Sequence, residues 1–181
     1  MEYLDIVDEN NILTGEIEEY KAVHEKGLWH REVAVWIMNE QGEVLMQKRA
    51  ATKRLYPTKW ALCAGHVDSG EDMEAGAKRE VLEEIGLACD ELEFLFIVEQ
   101  TGERNNRFSY MYFHKTKAKI EDFKIQYEEL SEVKYISLQE LERIVREQDE
   151  DYVFSKREYL PNLIEELKKR INPIQNKEMS R

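Results

Sequence analysis

The sequence predicts an α/β protein in which helices cover a mixed β-sheet, preceded by a two-stranded β-ribbon. Three observations lead to this fold class. The apolar run from Val33 to Met38 has the length and composition of a buried strand. Apolar side chains recur with helical spacing in 72–85, which indicates an amphipathic helix. Segments of both kinds alternate along 181 residues, a length that predicts a single domain with its own core.

The chain is expected to open with the ribbon and to continue into the strands of the sheet. Tyr3 to Val7 alternates apolar and polar residues, residues 8–11 supply a turn, and Ile12 to Tyr20 resumes the strand pattern. We expect the ribbon to end at Gly27. The strands expected after it are 33–38, 44–46, 59–64, 92–100, 108–114 and 133–136.

Three helices are expected. The first covers 72–85 and is followed by Gly86, a typical stop signal. Its apolar residues lie four positions apart, at Met73, Ala77, Val81 and Ile85. Ser137 is predicted to cap a second helix. The third is expected over Lys156 to Arg170, with Pro161 in or near its first turn.

These elements divide the single domain into three parts. Residues 1–27 form an N-terminal ribbon extension, 28–170 the main α/β domain, and 171–181 a polar, frayed tail. We find no internal repeat and no low-complexity linker in the sequence.

Composition excludes several classes of function. The formal charge of −12 opposes binding to an extended phosphate backbone, so nucleic acid is not expected as a partner. No apolar run approaches the roughly 18 residues of a membrane span, and the N-terminus lacks the pattern of a secretory signal. Cys63 and Cys89 have neither metal nor disulfide spacing, which fits a reducing compartment. We therefore expect a cytoplasmic protein.

Segment 65–87 carries the strongest functional pattern, GHVDSGEDMEAGAKREVLEEIGL. At about 100° per residue, Glu80, Glu83 and Glu84 share one face of the predicted helix. Their carboxylates would repel one another unless a hard divalent cation neutralised them, and Mg²⁺ suits this donor set and phosphate chemistry. Arg79 is placed to pair with these carboxylates and to orient them.

This segment resembles the Nudix box, G-x5-E-x7-R-E-U-x-E-E-x-G-U with U aliphatic, and meets every specified position. The resemblance implies the Nudix fold, an α/β/α sandwich around a mixed sheet. It also implies Mg²⁺-dependent hydrolysis, with Mn²⁺ as an alternative ion, of a diphosphate linked to another moiety. The implied metal ligands are the Gly65 carbonyl and the glutamates Glu80, Glu83 and Glu84. Either Glu83 or Glu129 would serve as general base; the sequence leaves both open.

A basic arm directly precedes the box. Its cations are Lys48, Arg49, Lys53, Arg54 and Lys59, and no acid occurs between Val44 and Val67. Such an arm is expected to hold an anionic diphosphate beside the metal.

A narrower resemblance covers roughly Tyr3 to Lys168. Segments 27–31, 47–49 and 64–66 are similar to the Nudix branch that includes isopentenyl-diphosphate isomerase. The resemblance implies that Arg49 and Lys53 hold the substrate diphosphate. It also places His24, His30 and His66 near the isomerase metal-ligand histidines, and their role as ligands stays open.

Two differences favour a hydrolase over an isomerase. The isomerase has a cysteine where this chain has Ala64, and Cys63 one position earlier would face the other side of a strand. The isomerase also uses a glutamate pair near 108–113, and no acid lies between Arg104 and Lys117. Isomerase activity is the alternative, and a non-catalytic nucleotide-sensing module is the third. The class of diphosphate, and whether the protein is a monomer or a homodimer, stay open.

Overall fold

The computed structural model describes residues 2–102, 104–154 and 156–171. In chain order the strands are β1 (Tyr3–Val7), β2 (Leu13–Glu19), β3 (His30–Met38), β4 (Val44–Arg49), β5 (Trp60–Ala61), β6 (Cys63–His66), β7 (Glu93–Gln100), β8 (Arg107–Lys115) and β9 (Leu130–Ile136). The helices are α1 (Tyr20–Lys26), α2 (Met73–Ile85), α3 (Leu138–Glu147) and α4 (Leu160–Ile171), with a short 3₁₀ turn at Ile120–Asp122. Apart from Ile171, the predicted tail lies outside the described residues.

The chain forms two compact units. The first runs up to Trp36 and takes in Cys63–His114, and the second combines Ile37–Leu62 with the described residues from Lys115 onward. No helix among the described residues is long and apolar enough to cross a bilayer.

The first unit begins with the predicted ribbon, in which β1 and β2 pair antiparallel. The expected continuation of the second strand to Tyr20 is wrong, because Tyr20 begins α1. Leu4, Ile6 and Val23 form a buried cluster against which Tyr20 packs. Glu19 makes no side-chain cap bond, so this helix depends on packing and has no local start signal.

The sheet of the first unit is mixed. β6 pairs antiparallel with β3, with Val33 opposite Gly65, and β7 pairs antiparallel with β8. β8 lies next to β3 in the sheet. The amide of His30, which begins β3, donates to the carbonyl of Asn106, directly before β8, so these two strands run in the same direction.

The single strand expected at 59–64 is wrong: the chain forms β5 and β6 instead, one in each unit.

α2 confirms the helix predicted from apolar spacing. Asp72 caps it by accepting hydrogen bonds from the amides of Glu74 and Ala75. Gly86 ends it in the left-handed region, with φ of 70°. On the apolar face, Ala77, Val81 and Ile85 are at 0% exposure and Met73 is partly buried.

The second unit places β4 between β5 and β9, both antiparallel to it. α3 is capped as predicted, with the amide of Glu140 donating to Ser137 Oγ. α4 begins at Leu160, so the start expected at Lys156 is wrong. Pro161 sits in the first turn, where its missing amide costs no helical hydrogen bond. The apolar face of α4 is buried as expected.

Candidate functional site

α2 lies along β6 in the first unit, and two of its glutamates face that strand. The amide of Ala64 donates to Glu84 Oε2 at 3.3 Å. The carboxylate of Glu80 occupies the space where a Cβ atom on Gly65 would stand. Glycine at position 65 is therefore required for this approach.

Arg79 connects the acidic residues of this site. Its Nε and Nη2 donate to the two carboxylate oxygens of Glu71, both at 2.9 Å. Its Nη1 reaches Glu80 at 2.8 Å and Glu83 at 3.2 Å. Nη2 also donates to the carbonyl oxygen of His66 at 2.9 Å. One guanidinium thus holds three carboxylates and the end of β6 in a fixed arrangement.

Glu71 is a structural member of the site that was absent from the predicted site residues. The bidentate bond from Arg79 holds the pKa of Glu71 below its ordinary value, although burial opposes this effect. The amide of Asp68 also donates to Glu71 Oε2, at 3.1 Å. The available signal was its fixed position in the box, where five residues separate it from Gly65.

The three predicted metal-ligand glutamates differ in environment. Glu84 is buried, Glu80 is nearly so, and 54% of the Glu83 side chain is exposed. Burial raises the pKa of Glu80 to about 7, although Arg79 acts in the opposite direction. The three carboxylates offer hard oxygen donors. Glu80 lies against the backbone at Gly65, which has no side chain to cover it. These residues fit a divalent cation such as Mg²⁺.

The structure also brings together His24, His30 and His66. A ligand nitrogen from each lies within 4.8 Å of one from each of the others. The Nε2 atoms of His24 and His66 are 3.3 Å apart, and Glu2 lies 3.6 Å from His66 Nδ1. His24 and Glu2 belong to the N-terminal extension, so residues before the main domain contribute to this cluster.

His30 has the features of a prepared ligand. Its side chain is fully buried, and its Nδ1 lies 3.1 Å from the carbonyl oxygen of Leu28. A carbonyl only accepts, so the proton is on Nδ1 and Nε2 carries a lone pair. Nε2 is buried without a hydrogen-bond partner. Burial lowers the pKa of His30 to about 4, which keeps the ring neutral at pH 7.

The remaining predicted residues belong to the second unit. Lys53 forms an ion pair with Glu129, which joins the expected phosphate-binding lysine to one of the two candidate bases. Arg49 Nε donates to the carbonyl oxygen of Leu55 at 3.0 Å. Arg49 is the last residue of β4, and Lys53 lies in the loop between β4 and β5.

The NUDIX domain family matches residues 28–163, three quarters of the chain. The chain belongs to the Nudix family. An uncharacterized Nudix hydrolase of Clostridium acetobutylicum is 34% identical over 154 residues, covering 80% of this chain and 74% of that protein. An isopentenyl-diphosphate Delta-isomerase of Photorhabdus laumondii is 30% identical over 132 residues, covering 72% of this chain and 75% of the isomerase.

A solved structure has the same fold. DR0079 of Deinococcus radiodurans superposes with a TM-score of 0.71 at 22% identity, covering 92% of this chain and 99% of that one. The resemblance to the Nudix superfamily and its isomerase-like branch, and the predicted fold class, are therefore confirmed. The protein is an enzyme of the Nudix hydrolase class.

Proposed function

We propose that this Nudix hydrolase cleaves a small-molecule diphosphate linked to another moiety, by Mg²⁺-assisted attack of water on phosphorus. The observation that carries the proposal is the convergence of Glu80 and Glu83 on Arg79, with the Glu80 carboxylate against the bare backbone at Gly65. Bound Mg²⁺ would polarise the phosphoryl group and lower the pKa of a coordinated water. Mn²⁺ would offer the same chemistry at the same oxygens.

The protein's own groups take distinct roles in this proposal. Glu80, Glu83 and Glu84, with the Gly65 carbonyl, hold the ion, and Arg79 keeps the carboxylates oriented through its fixed contacts. Burial of Glu84 and Glu80 excludes water from the inner side of the site, which strengthens electrostatic interactions there. The exposed Glu83 carboxylate can exchange a proton with solvent, which suits one candidate for the general base.

Arg49 and Lys53 are proposed to bind the substrate's phosphates, and Glu129 is the second candidate for the base. Arg49 is suited to phosphate because its guanidinium can donate to two oxygens at once. Glu129 forms an ion pair with Lys53, so a phosphate bound by this lysine would compete with the Glu129 carboxylate.

A screen of product release tests the proposal. Purified protein with Mg²⁺ is given nucleoside diphosphate derivatives, dinucleotides, sugar nucleotides and prenyl diphosphates, and phosphate or monophosphate products are measured. We expect turnover in one of these classes, and a rate about a hundredfold lower for Glu83→Gln and for Glu84→Gln. Glu74→Gln is the matched control, since Glu74 lies on the same helix but pairs with Lys78. Unchanged rates in both site variants would reject the proposal.

Isopentenyl-diphosphate isomerase activity is a second candidate because of the histidine cluster. The position of Cys63 argues against it. Strand alternation places Cys63 and Gly65 on the side of β6 that faces α2, whereas His66 and Ala64 face the other side. A thiol on the helix side is therefore separated from the histidines by the sheet. Formation of the allylic isomer from isopentenyl diphosphate would establish this second function.

The histidine cluster is proposed to bind a transition-metal ion, since imidazole nitrogen suits such ions better than it suits Mg²⁺. Titration with Co²⁺, followed by visible absorption, tests this in the absence of substrate. We expect Co²⁺ to bind at the histidines in addition to the carboxylate site, and His30→Ala to weaken binding at the histidines alone. His114→Ala is the matched control, because the ring of His114 is bonded to the carbonyl of Glu91, in another part of the unit.

A further inference from the structure

We propose that Asp5 is a positioning residue for the loop 67–72, which leads from β6 into α2. The inference rests on the proposed function, because this loop precedes the helix that carries the proposed metal ligands. Asp5 lies in β1, outside the segment that matches the family.

Three hydrogen bonds join the loop to β1. The hydroxyl of Ser69 donates to Asp5 Oδ1 at 2.6 Å, and the amide of Gly70 donates to Asp5 Oδ2 at 3.0 Å. The amide of Ser69 donates to the carbonyl oxygen of Tyr3 at 2.7 Å. Both oxygens of one carboxylate are thus used by two consecutive loop residues, in bonds of the stronger, charge-assisted kind.

β1 is itself held in place on its opposite side. Leu4 and Ile6, which flank Asp5, are 1% and 4% exposed and pack with Val23 of α1. Successive side chains of a strand point to opposite faces, so the apolar pair faces the core and Asp5 faces the loop. The hydrophobic cluster therefore fixes the position and orientation of the Asp5 carboxylate relative to Ser69 and Gly70.

A second attachment fixes the far end of the ribbon. Arg31 of β3 donates from Nε to Asn11 Oδ1 at 2.7 Å and from Nη2 to the Asn11 carbonyl oxygen at 2.6 Å. Asn11 Nδ2 in turn donates to the hydroxyl of Tyr110 on β8 at 2.9 Å. The ribbon is thus tied to the sheet of its unit at the turn, and it cannot rotate about the Asp5 contact without breaking these bonds.

The loop transmits this position to the site. Glu71 follows Gly70 directly and forms the bidentate bond with Arg79, whose Nη1 holds Glu80 and Glu83. A shift of Ser69 and Gly70 would therefore move Glu71 and loosen the arginine that orients two proposed metal ligands. Outer contacts of this kind commonly change metal affinity or activity by about 10- to 100-fold.

The test compares Asp5→Ala and Asp5→Asn with the control Asp8→Ala. Asp8 is a second ribbon carboxylate that accepts two amide hydrogen bonds, from Asn10 and Ile12, both at 2.9 Å, but it does not bind the loop. The readouts are Mn²⁺ affinity by electron paramagnetic resonance, the half-saturating Mg²⁺ concentration, kcat and KM, and thermal stability.

We expect Asp5→Ala to weaken Mn²⁺ binding and raise the half-saturating Mg²⁺ concentration, each on the order of tenfold, while KM changes less than about twofold. Asp5→Asn keeps one acceptor oxygen and should recover most of the affinity. Asp8→Ala should lower thermal stability yet keep the wild-type metal affinity. Ser69→Ala should weaken binding less than Asp5→Ala and add little to it in the double variant.

The outcomes separate this inference from the proposed function. Wild-type metal affinity in Asp5→Ala, or an equal loss in Asp8→Ala, would overturn the positioning role while leaving the proposed hydrolysis intact. Failure of the wild type to turn over any diphosphate would reject the proposed function, and the Mn²⁺ comparison would still decide the role of Asp5. A wild type that binds no Mn²⁺ would overturn both.

Discussion

The carboxylate of Glu80 lies against the α-carbon of Gly65, in the space that the Cβ atom of any other residue would fill. Arg79 Nη1 donates to this carboxylate at 2.8 Å, so moving the Glu80 side chain aside would disturb that bond. A helix residue and a strand residue thus restrict each other's identity. This contact explains physically why glycine at 65 and glutamate at 80 occur together in the box.

Gly65→Ala should displace Glu80 and damage the site. We expect a loss of about 1–3 kcal/mol in the free energy of unfolding, because an added methyl group in a filled space forces neighbours apart. Metal affinity and turnover should fall together. Chemical denaturation and Mn²⁺ titration measure the two effects. Gly102→Ala is the control, since a Cβ atom there would meet its nearest neighbour at an ordinary 3.6 Å. Equal losses at both positions would contradict the explanation.

The Glu71–Arg79 bond should make part of the protein's stability depend on pH. The pKa of Glu71 is below its ordinary value because Arg79 donates to it. A carboxyl group whose pKa is lower in the folded state stabilises the fold above its unfolded-state pKa, 4.5. This contribution is lost as the pH falls through the lowered value.

Glu71→Gln should therefore reduce stability by about 1–3 kcal/mol at pH 7. The gap to the wild type should narrow below the unfolded-state pKa of 4.5, as the wild-type carboxyl becomes protonated. Thermal unfolding from pH 3 to 7 measures the gap. Glu74→Gln, which alters an exposed pair with Lys78, should have a much smaller effect at every pH. A gap that stays constant across this range would contradict the linkage.

The two cysteines should react slowly with thiol reagents while the protein is folded. Cys63 and Cys89 are 3% and 7% exposed. Burial raises the pKa of Cys63, and the charge of Glu84 adds to this effect. Burial raises the pKa of Cys89 to about 11. Since the thiolate is the reactive form, we expect little labelling by a disulfide reagent at pH 8 and two equivalents in urea. Rapid labelling of the native protein would show that the side chains are more accessible than this structure indicates.

Local patterns in the sequence were sufficient for some elements. α2 could be predicted because its apolar spacing and its stop at Gly86 are short-range signals. α1 could not, because its helical state depends on Val23 packing against a ribbon whose strands are formed by other residues. The short strands β5 and β6 also depend on pairing with partners distant in sequence.

The charge of the basic arm, too, could not be predicted from local sequence. The sequence places no acid near its lysines, yet all three have carboxylate partners from later in the chain. These pairs are Lys48–Glu132, Lys53–Glu129 and Lys59–Asp151. Local charge counting therefore overstates the positive charge of the arm. The histidine cluster is similar, since its members come from α1, β3 and β6, and spacing along the chain could not show that their rings meet.

Substitutions of Lys53 and Glu129 should have opposite effects on substrate binding, because the two residues form an ion pair. If Lys53 binds phosphate, the substrate must compete with Glu129 for the same ammonium group. Lys53→Met should then raise KM, whereas Glu129→Gln should lower it, because the lysine no longer has a competing carboxylate. The pair is partly exposed, so each change should alter stability by less than about 1 kcal/mol.

Steady-state kinetics on the substrate found by the screen measures both effects, and kcat is determined separately. A large loss of kcat in Glu129→Gln, with little change in Glu83→Gln, would instead identify Glu129 as the general base. Asp151→Asn is the matched control. It removes the carboxylate that lies 3.0 Å from the ammonium group of Lys59, another lysine of the basic arm. We expect it to leave KM unchanged. A rise in KM for both Lys53→Met and Glu129→Gln would contradict the competition and would mean that substrate binds the intact pair.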